Sequence, residues 1–247
     1  MENQNKSESQ SAAMPCSLLV AALFARRDSI YKTMAGVDAW DMDRDARKWP
    51  GGTSIVAHPP CRAWSQLRHF AKPRHDEKDL APWSVEQVRM WGGVLEHPAK
   101  SALWPAMNLP EPGERDEWGG WTYSAPQMWW GHWCNKATRL YIVGCSPAEL
   151  PAVPLVLGEA SHVQTYSHKC RSRPQLPPSM REKTPPAFAE FLVAIARIAE
   201  SKNVADLGSI EKGHVCKHGV RWPHECRPCA DASWIRHQIL TENIVIK

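Results

Sequence analysis

Short apolar runs alternate with helical segments between Ser17 and Gly144, and this alternation constrains the fold more than any other feature of the chain. Five runs have the length and composition of strands: Leu18–Phe24, Val37–Trp40, Ser54–Ala57, Val94–Glu96 and Arg139–Val143. Between the third and the fourth run, Glu77–Trp91 carries its apolar residues on one face of a helix. Strands that alternate with helices in this way predict an α/β domain.

The composition is that of a folded protein outside the membrane. The 247 residues are 43% hydrophobic and 23% charged, so a real core can form and wholesale disorder is excluded. No apolar run approaches the roughly 18 residues of a membrane span. The longest run, Leu18–Ala25, follows a polar leader that has no cleavage site, so secretion is not expected. The net charge of +4 is too small to indicate a nucleic-acid partner by itself.

The eight cysteines have the spacing expected in a reducing compartment. Five stand singly, and three lie within fourteen residues near the C-terminus. A secreted disulfide scaffold is smaller and denser in cysteine. The pattern predicts a cytoplasmic protein with isolated thiols and one metal cluster. The compact size would suit a phage protein, whose location would be the host cytoplasm.

Changes in proline, charge and cysteine content divide the chain into segments. A helix is predicted from Thr184, which can cap it, with proline in the first turn where no amide donor is missed. The predicted segments are a disordered leader (1–14), the catalytic α/β domain (15–160), a basic irregular loop (161–183), a helix that packs on the domain (184–200), a polar linker (201–213), a zinc knuckle (214–231) and a tail (232–247).

The basic loop is the region in which positive charge concentrates. Residues 162–247 carry 13 Lys and Arg against 8 Asp and Glu, a net +5. The stretch His162–Arg181 has four basic residues, two histidines and no acid. It is either a solvated loop or a strip that contacts phosphates. The basic residues of the strip are Lys169, Arg171, Arg173 and Arg181.

Three segments at predicted strand ends carry reactive or charged side chains. Cys61 follows a strand and two prolines in Ile55–Ser65, and Glu96 lies in Gly92–Pro98. Arg139 begins the last predicted strand. Because open α/β folds place ligands at the carboxyl ends of their strands, we expect the thiol, the carboxyl and the guanidinium to meet on one rim.

These three groups suit covalent chemistry on a pyrimidine. A thiolate adds readily to carbon 6, which makes carbon 5 nucleophilic. An acid near ring nitrogen 3 neutralises the negative charge that enters the ring. An arginine can hold the carbonyl oxygen at position 2.

The same segments resemble motifs of the DNA (cytosine-5) methyltransferases. His58-Pro-Pro-Cys61-Arg-Ala-Trp-Ser65 is similar to the Pro-Cys nucleophile loop of that family, with Ser65 also matching. Leu95-Glu96-His97-Pro98 resembles the Glu-Asn-Val or Glu-Asn-Pro motif, with histidine in place of asparagine, and Arg139–Gly144 resembles the arginine motif. The resemblance implies a trimmed Rossmann-like methyltransferase sheet with Cys61, Glu96 and Arg139 as catalytic residues.

The resemblance also implies S-adenosylmethionine as cofactor, although the cofactor loop departs from the family pattern. The segment Phe24–Tyr31 lacks the expected glycines, which would let the backbone approach a ligand closely. The candidate cofactor-binding residues are Phe24 and, as the acid that holds a ribose, Asp41 or Asp43.

Further residues beside the motifs are candidates for supporting roles. His58 and His97 are expected to support the catalytic groups through hydrogen bonds rather than to act as catalysts. Trp64, beside the nucleophile loop, is the candidate for stacking on a base. The other tryptophans are expected mostly in the core.

The cysteine cluster predicts a structural zinc. Cys216, His218, Cys226 and Cys229 supply the four ligands of a tetrahedral site, with His224 as the rival of His218. No ligand position is left open, so the zinc would not be catalytic. The alternative is three free thiols in a tail.

Together these features predict an enzyme that modifies carbon 5 of cytosine in DNA by methyl transfer. One alternative is an enzyme that uses the same Cys–Glu–Arg site on a pyrimidine nucleotide or base with a different one-carbon donor. The other is a non-catalytic DNA-binding protein on a degenerate methyltransferase scaffold.

Overall fold

The computed structural model describes residues 19–164 and 172–210. Six strands form one sheet: β1 (Val20–Leu23), β2 (Val37–Trp40), β3 (Ile55–Ala57), β4 (Gly93–Pro98), β5 (Trp121–Ser124) and β6 (Thr138–Val143). Four α-helices accompany it: α1 (Glu77–Trp91), α2 (Leu103–Ala106), α3 (Pro178–Arg181) and α4 (Pro186–Ile210). Short 3-10 helices lie at Ile30–Thr33, Ala46–Lys48, Arg68–Phe70, Gln127–Trp130 and Pro147–Glu149.

The strand order is β2-β1-β3-β4-β6-β5. The first four are parallel, and β6 runs antiparallel to both of its neighbours. The predicted α/β class is therefore confirmed, as a mixed sheet compatible with a Rossmann-like fold. All five predicted strands are present. β5 was not predicted, because its four residues lie in a stretch rich in aromatic residues and turns, without the longer alternation that marks a strand.

Helices cover both faces of the sheet, as a buried parallel sheet requires. Helix α4 packs Phe188, Leu192 and Ile195 on one face, together with Trp130. Helix α1 packs on the other face, where Trp40, Trp49, Trp91 and Trp104 join a second core cluster. Most tryptophans of the described residues thus belong to the core.

Gly93 lets β4 approach β3 closely at the start of the strand. Its φ is +111°, and a Cβ atom there would overlap the carbonyl oxygen of Ile55. A side chain would therefore collide with the backbone of β3. Correct pairing of the two strands matters for the site, because Cys61 and Glu96 depend on β3 and β4 for their positions.

Helix α4 is longer than the sequence pattern predicted. It continues to Ile210, so the linker predicted at 201–213 is wrong for its first ten residues. The polar composition suggested a linker, but residues 201–210 contain no proline to end the helix. The leader (1–14), the zinc knuckle (214–231) and the tail (232–247) lie outside the described residues. In the part of the chain that the structure describes, no helix is long and apolar enough to span a membrane.

Candidate active site

Cys61 lies on a tight turn beyond the carboxyl end of β3. His58 begins the segment, with its amide bonded to the carbonyl of Leu23 (3.1 Å), and two prolines follow. The carbonyl oxygen of Cys61 accepts hydrogen bonds from the amides of Trp64 (3.0 Å) and Ser65 (2.8 Å). Ser65 thus stabilises the turn through its backbone. The Cys61 side chain remains partly accessible.

Arg62, the next residue, ties this turn to helix α1. Its guanidinium donates to both carboxylate oxygens of Glu77, at 2.8 and 2.6 Å. Glu77 is fully buried at the first position of the helix. A bidentate arginine–carboxylate pair fixes orientation as well as distance. The segment after Cys61 is therefore anchored beside the active-site turn.

Glu96 lies on β4 in a cage of hydrogen-bond donors. One carboxylate oxygen accepts from Nδ1 of His58 (3.0 Å), and the other accepts from Nε2 of Gln127 (3.0 Å) and lies 3.2 Å from the hydroxyl of Thr138. Burial alone would raise the pKa of Glu96. The bond from His58 and the positive charge of Lys136 outweigh burial and lower that pKa to about 2. The carboxyl is thus ionised at neutral pH.

His58 connects Glu96 to a buried tyrosine. The hydroxyl of Tyr31 lies 2.8 Å from Nε2 of His58. Tyr31 is buried at 1% exposure, and burial followed by the charge of Glu96 raises its pKa well above the usual value. Tyr31, His58 and Glu96 therefore form a continuous hydrogen-bonded chain beneath the turn that carries Cys61.

Cys61 and Glu96 are electrostatically coupled. Burial is the main cause that raises the pKa of the Cys61 thiol, and the negative charge of Glu96 adds to it. The ammonium of Lys136 acts in the opposite direction on Cys61 and also stabilises the Glu96 carboxylate. The resting thiol is therefore protonated at neutral pH, and it must lose its proton before it can attack.

Arg139 does not join the other two predicted catalytic residues. In the register of β4 with β6, Arg139 is opposite His97, and Glu96 is opposite Leu140. Opposite residues share a face of the sheet, whereas successive residues alternate, so Arg139 and Glu96 point to opposite faces. The guanidinium of Arg139 pairs with Glu111 at 2.8 Å. The expectation that all three groups meet on one rim is corrected accordingly.

His97 lies on the same face as Arg139. Its side chain is fully buried, and neither ring nitrogen has a hydrogen-bond partner among the described residues. Burial lowers its pKa to about 4, only partly opposed by the charge of Glu96. The ring meets Trp104 edge to face, at 6.4 Å between centroids. His97 is thus a neutral core residue that makes no hydrogen bond to Glu96.

Trp64 lies against helix α1 rather than free for a base. Its indole N–H donates to the carbonyl of Lys78 at 2.8 Å. Pro82, four residues after Lys78, has no N–H, so this carbonyl lacks its usual partner within the helix. Pro82 thus leaves the carbonyl of Lys78 without a donor in the helix, and the indole N–H of Trp64 takes that place.

A cavity of about 240 Å³ lies beyond the carboxyl ends of β1, β2 and β3. Two of the three candidate cofactor residues, Phe24 and Asp41, line it, together with Met42, Asp45 and Pro60. The third, Asp43, pairs instead with Arg27 at 2.6 Å on the exposed surface. Pro60 directly precedes Cys61, so the cavity adjoins the nucleophile turn.

The walls of this cavity fit the chemistry of S-adenosylmethionine, which combines a flat purine with positive charge. Phe24 and Met42 supply apolar surface. Asp41, Asp45 and Asp76 supply negative charge, which Arg47 and Arg74 in the same lining partly offset, Arg47 through an ion pair with Asp45 at 2.9 Å. Phe24 has a φ of +61°, a left-handed conformation that favours glycine, so the chain turns after β1 through a backbone conformation that glycine usually supplies.

Asp41 is already engaged in local hydrogen bonds. Its carboxylate accepts from Nζ of Lys32 (2.5 Å) and from the amides of Asp43 (3.0 Å) and Arg44 (3.2 Å). The hydrogen bond from Lys32 is the main cause that lowers its pKa. Asp41 thus orders the loop after β2, and a ribose hydroxyl would have to share this carboxylate.

Two of the residues predicted to contact phosphates form hydrogen bonds to backbone carbonyls of the protein. Arg173 donates to the carbonyl of Ala160 (2.9 Å), and Arg181 donates to that of Leu176 (3.0 Å). Lys169 and Arg171 lie outside the described residues. The two arginines that the structure describes therefore brace the loop between β6 and α4.

A second basic segment, residues 62–75, directly follows the nucleophile and was missed in the sequence. It contains Arg62, Arg68, Lys72 and Arg74, two histidines and no acid. Phe70 lies at its tip and is 87% exposed. The run of basic residues without an acid was a visible signal. We name residues 62–75 the basic nucleophile loop.

Other residues of the site were harder to identify from the sequence. Gln127 and Lys136, which act on Glu96, lie in the segment between β5 and β6 that the sequence did not mark as structured, and Thr138 begins β6 one residue before the predicted strand. Tyr31 lies in an unremarkable polar segment. Within the described residues, no group of three His, Cys, Asp or Glu is placed to hold a metal ion. The predicted zinc ligands Cys216, His218, Cys226 and Cys229 lie outside them.

Comparison with protein-family models, curated proteins and solved structures finds no match to this chain. Its function is therefore inferred from the residues of the site and their geometry.

Proposed function

We propose that this protein modifies carbon 5 of cytosine in DNA by methyl transfer, through a covalent bond between Cys61 and carbon 6. The observation that carries the proposal is the placement of Cys61 just beyond β3 and of Glu96 on the adjacent parallel strand β4, near enough that the negative charge of Glu96 adds to burial in raising the pKa of the thiol. The mixed sheet is compatible with the trimmed Rossmann-like methyltransferase sheet that the motifs imply.

In the proposed reaction, the Cys61 thiolate attacks carbon 6 of the pyrimidine. The π pair of the C5–C6 double bond forms a C4–C5 double bond, and the C4–N3 π pair moves onto ring nitrogen 3, which takes up a proton delivered by Glu96. Carbon 5 is then nucleophilic and takes the methyl group. Loss of the carbon 5 proton to water and departure of the Cys61 thiolate from carbon 6 restore the C5–C6 double bond. Because Arg139 lies on the other face of the sheet, Lys136 is the cation proposed to balance the negative charge near the ring.

S-adenosylmethionine is the proposed methyl donor, held in the cavity lined by Phe24, Asp41 and Asp45. When bound, it supplies an electrophilic methyl group. The protein's part is to hold this ligand beside Pro60, one residue before the nucleophile, so that donor and acceptor lie on neighbouring strand ends.

The basic nucleophile loop supports DNA rather than a free nucleotide as substrate. Arg68 and Lys72 are exposed beside the active-site turn, and Phe70 offers an exposed aromatic ring. Positive side chains with an aromatic residue between them suit a nucleic-acid backbone and its bases. A base in a duplex would have to leave the stack to reach Cys61.

We also propose a structural zinc at Cys216, His218, Cys226 and Cys229, on the chemistry of the donor set alone. Three thiolates and one imidazole are a common ligand set of closed tetrahedral zinc sites. Purified protein should then carry about one zinc per chain, and Cys226→Ser should release it. Metal-free protein would contradict this assignment.

A trapping experiment with 5-fluorocytosine tests the main proposal. DNA that contains this base should form a permanent adduct with the protein in the presence of S-adenosylmethionine, because fluorine cannot leave as the proton does. Cys61→Ala should abolish the adduct. The matched control is Cys145→Ala. Cys145 is a buried thiol just beyond the end of β6 that lies farther from Glu96, so its removal should leave the adduct unchanged.

The outcomes also separate the two alternatives. Calorimetry should detect binding of S-adenosylmethionine to the purified protein. If this ligand does not bind but Cys61 forms a reversible adduct with a pyrimidine, the alternative with a different one-carbon donor replaces methyl transfer. If Cys61→Ala changes neither adduct formation nor modification but DNA still binds, the protein is a non-catalytic DNA-binding module.

A further inference from the structure

His58 is the titratable hydrogen-bond partner of Glu96, and it has a second partner on its other side. Nδ1 lies 3.0 Å from Glu96, and Nε2 lies 2.8 Å from the hydroxyl of Tyr31. An ionised carboxylate can only accept hydrogen bonds, so Nδ1 must carry a hydrogen. Nε2 can then either accept from Tyr31 or, in the imidazolium, donate to it.

The hydroxyl of Tyr31 is suited to both charge states of His58. A hydroxyl donates as well as accepts, so it can donate to neutral Nε2 and accept from a protonated one. The buried position of Tyr31 keeps its own proton in place, in line with its raised pKa. His58 can therefore gain and lose a proton without losing a hydrogen bond.

Glu96 by itself has no proton to give in the resting site. Its other partners are the amide of Gln127 and the hydroxyl of Thr138, neither of which is an acid at neutral pH. A proton that Glu96 delivers to a pyrimidine has to reach it from a neighbour. His58 is placed to supply it along an existing hydrogen bond.

We propose that His58 is the positioning residue that passes a proton to Glu96, and that Tyr31 keeps His58 in place in both charge states. This inference rests on the proposed function and deepens it. The sulfur–C6 bond forms as the thiolate attacks, and the C5–C6 electron pair moves toward carbon 4. The His58 imidazolium gives its Nδ1 proton to the Glu96 carboxylate, and ring nitrogen 3, which receives the C4–N3 π pair, then takes that proton from Glu96. His58 ends neutral, and Glu96 is again a carboxylate.

Other charged groups near the hydrogen-bonded chain of Tyr31, His58 and Glu96 affect the pH range in which the reaction runs. Lys136 acts on both Cys61 and Glu96, and Glu182 acts weakly on Cys61 from the segment before α4. His97 neighbours Glu96 along β4 but points to the opposite face and stays neutral above about pH 4. The reaction needs a Cys61 thiolate and a protonated acid behind Glu96, two requirements that oppose each other as pH changes. The rate should pass through a maximum between the two.

The test is the pH profile of adduct formation with 5-fluorocytosine DNA at saturating S-adenosylmethionine. The native protein should give a bell-shaped profile. His58→Asn keeps an N–H donor toward Glu96 but does not titrate, so it should lose the falling alkaline side and react about 10²–10⁴ times more slowly at the optimum. Tyr31→Phe keeps the ring and should shift the alkaline side while retaining the bell shape.

The native profile separates the two proposals. No adduct at any pH overturns the proposed function itself. A native adduct with an unchanged alkaline side in His58→Asn overturns the role of His58 and leaves the proposed function standing. If His58→Asn fails to fold, nitrogen NMR of His58 in the native protein decides. Proton uptake at Nε2 within the active pH range is expected, and a ring that stays neutral throughout that range contradicts the inference.

Discussion

The carboxylate of Glu77 is fully buried, and it holds the half-exposed guanidinium of Arg62 through hydrogen bonds of 2.8 and 2.6 Å. This pair links the first residue of α1 to the residue after Cys61. Because a buried carboxylate needs its partners, the helix and the nucleophile turn depend on each other.

Glu77→Gln should therefore loosen the basic nucleophile loop. Glutamine keeps one acceptor but loses the charge that holds Arg62, so we expect a cost of about 1–3 kcal/mol in the free energy of unfolding. Urea unfolding measures that cost, and limited trypsin digestion should cut the loop faster than in the native protein. Asp79→Asn, at an exposed position of the same helix, is the control and should change little. Equal digestion rates in both variants would contradict the anchoring role of Glu77.

Trp64 and Pro82 should be energetically coupled through the carbonyl of Lys78. Trp64→Phe removes the indole donor and leaves this carbonyl unpaired, at a cost of about 1 kcal/mol besides reduced packing. Pro82→Ala restores an N–H within the helix that can bond the same carbonyl. In a double-mutant cycle, Trp64→Phe should cost at least about 0.5 kcal/mol less in the Pro82→Ala background. Strictly additive effects would show that the two residues act independently.

His97 should make the fold sensitive to mild acid. Its pKa is lowered by burial from 6.5 to about 4, so the native state binds fewer protons than the unfolded state in this range. The stabilising effect is fully present above pH 6.5 and is lost as pH falls toward 4, by about 3 kcal/mol in total. Urea unfolding at pH 7 and at pH 4.5 measures the change.

His97→Phe removes the titrating group and keeps an aromatic ring beside Trp104. The difference in unfolding free energy between pH 7 and pH 4.5 should shrink in this variant. His69→Gln, which changes an exposed histidine, is the control and should leave the difference as it is. A native-like acid sensitivity in His97→Phe would assign the effect to another group.

The two basic segments should differ in their contribution to DNA binding. Arg68→Gln and Lys72→Gln, in the basic nucleophile loop, should weaken binding and lower the salt dependence by about one unit of slope for each phosphate that is no longer neutralised. Arg173→Gln and Arg181→Gln should lower the slope less, because their guanidiniums already bond to backbone carbonyls. Binding titrations at several salt concentrations measure the slopes. Equal decreases in both segments would restore the predicted strip at 162–181 as a main DNA-binding surface.

The sequence by itself determined the alternation of strands and helices and the attachment of Cys61 and Glu96 to strand ends. These features are local. Apolar runs and their periodicity indicate strands and helices, and two prolines before Cys61 end β3 wherever that strand lies in the sheet. Since β3 and β4 are linked by one helix, their neighbouring positions also followed from the pattern.

Only the tertiary structure decided which face of the sheet each group occupies and what surrounds it. The side chains of a strand alternate with period two, so a register shift of one residue between β4 and β6 would move Arg139 to the face of Glu96. No local pattern sets that register, because it depends on β6 inserting antiparallel between β4 and the unpredicted β5. The chain from Tyr31 through His58 to Glu96 likewise joins residues that are distant in sequence, and only packing brings them within hydrogen-bond distance.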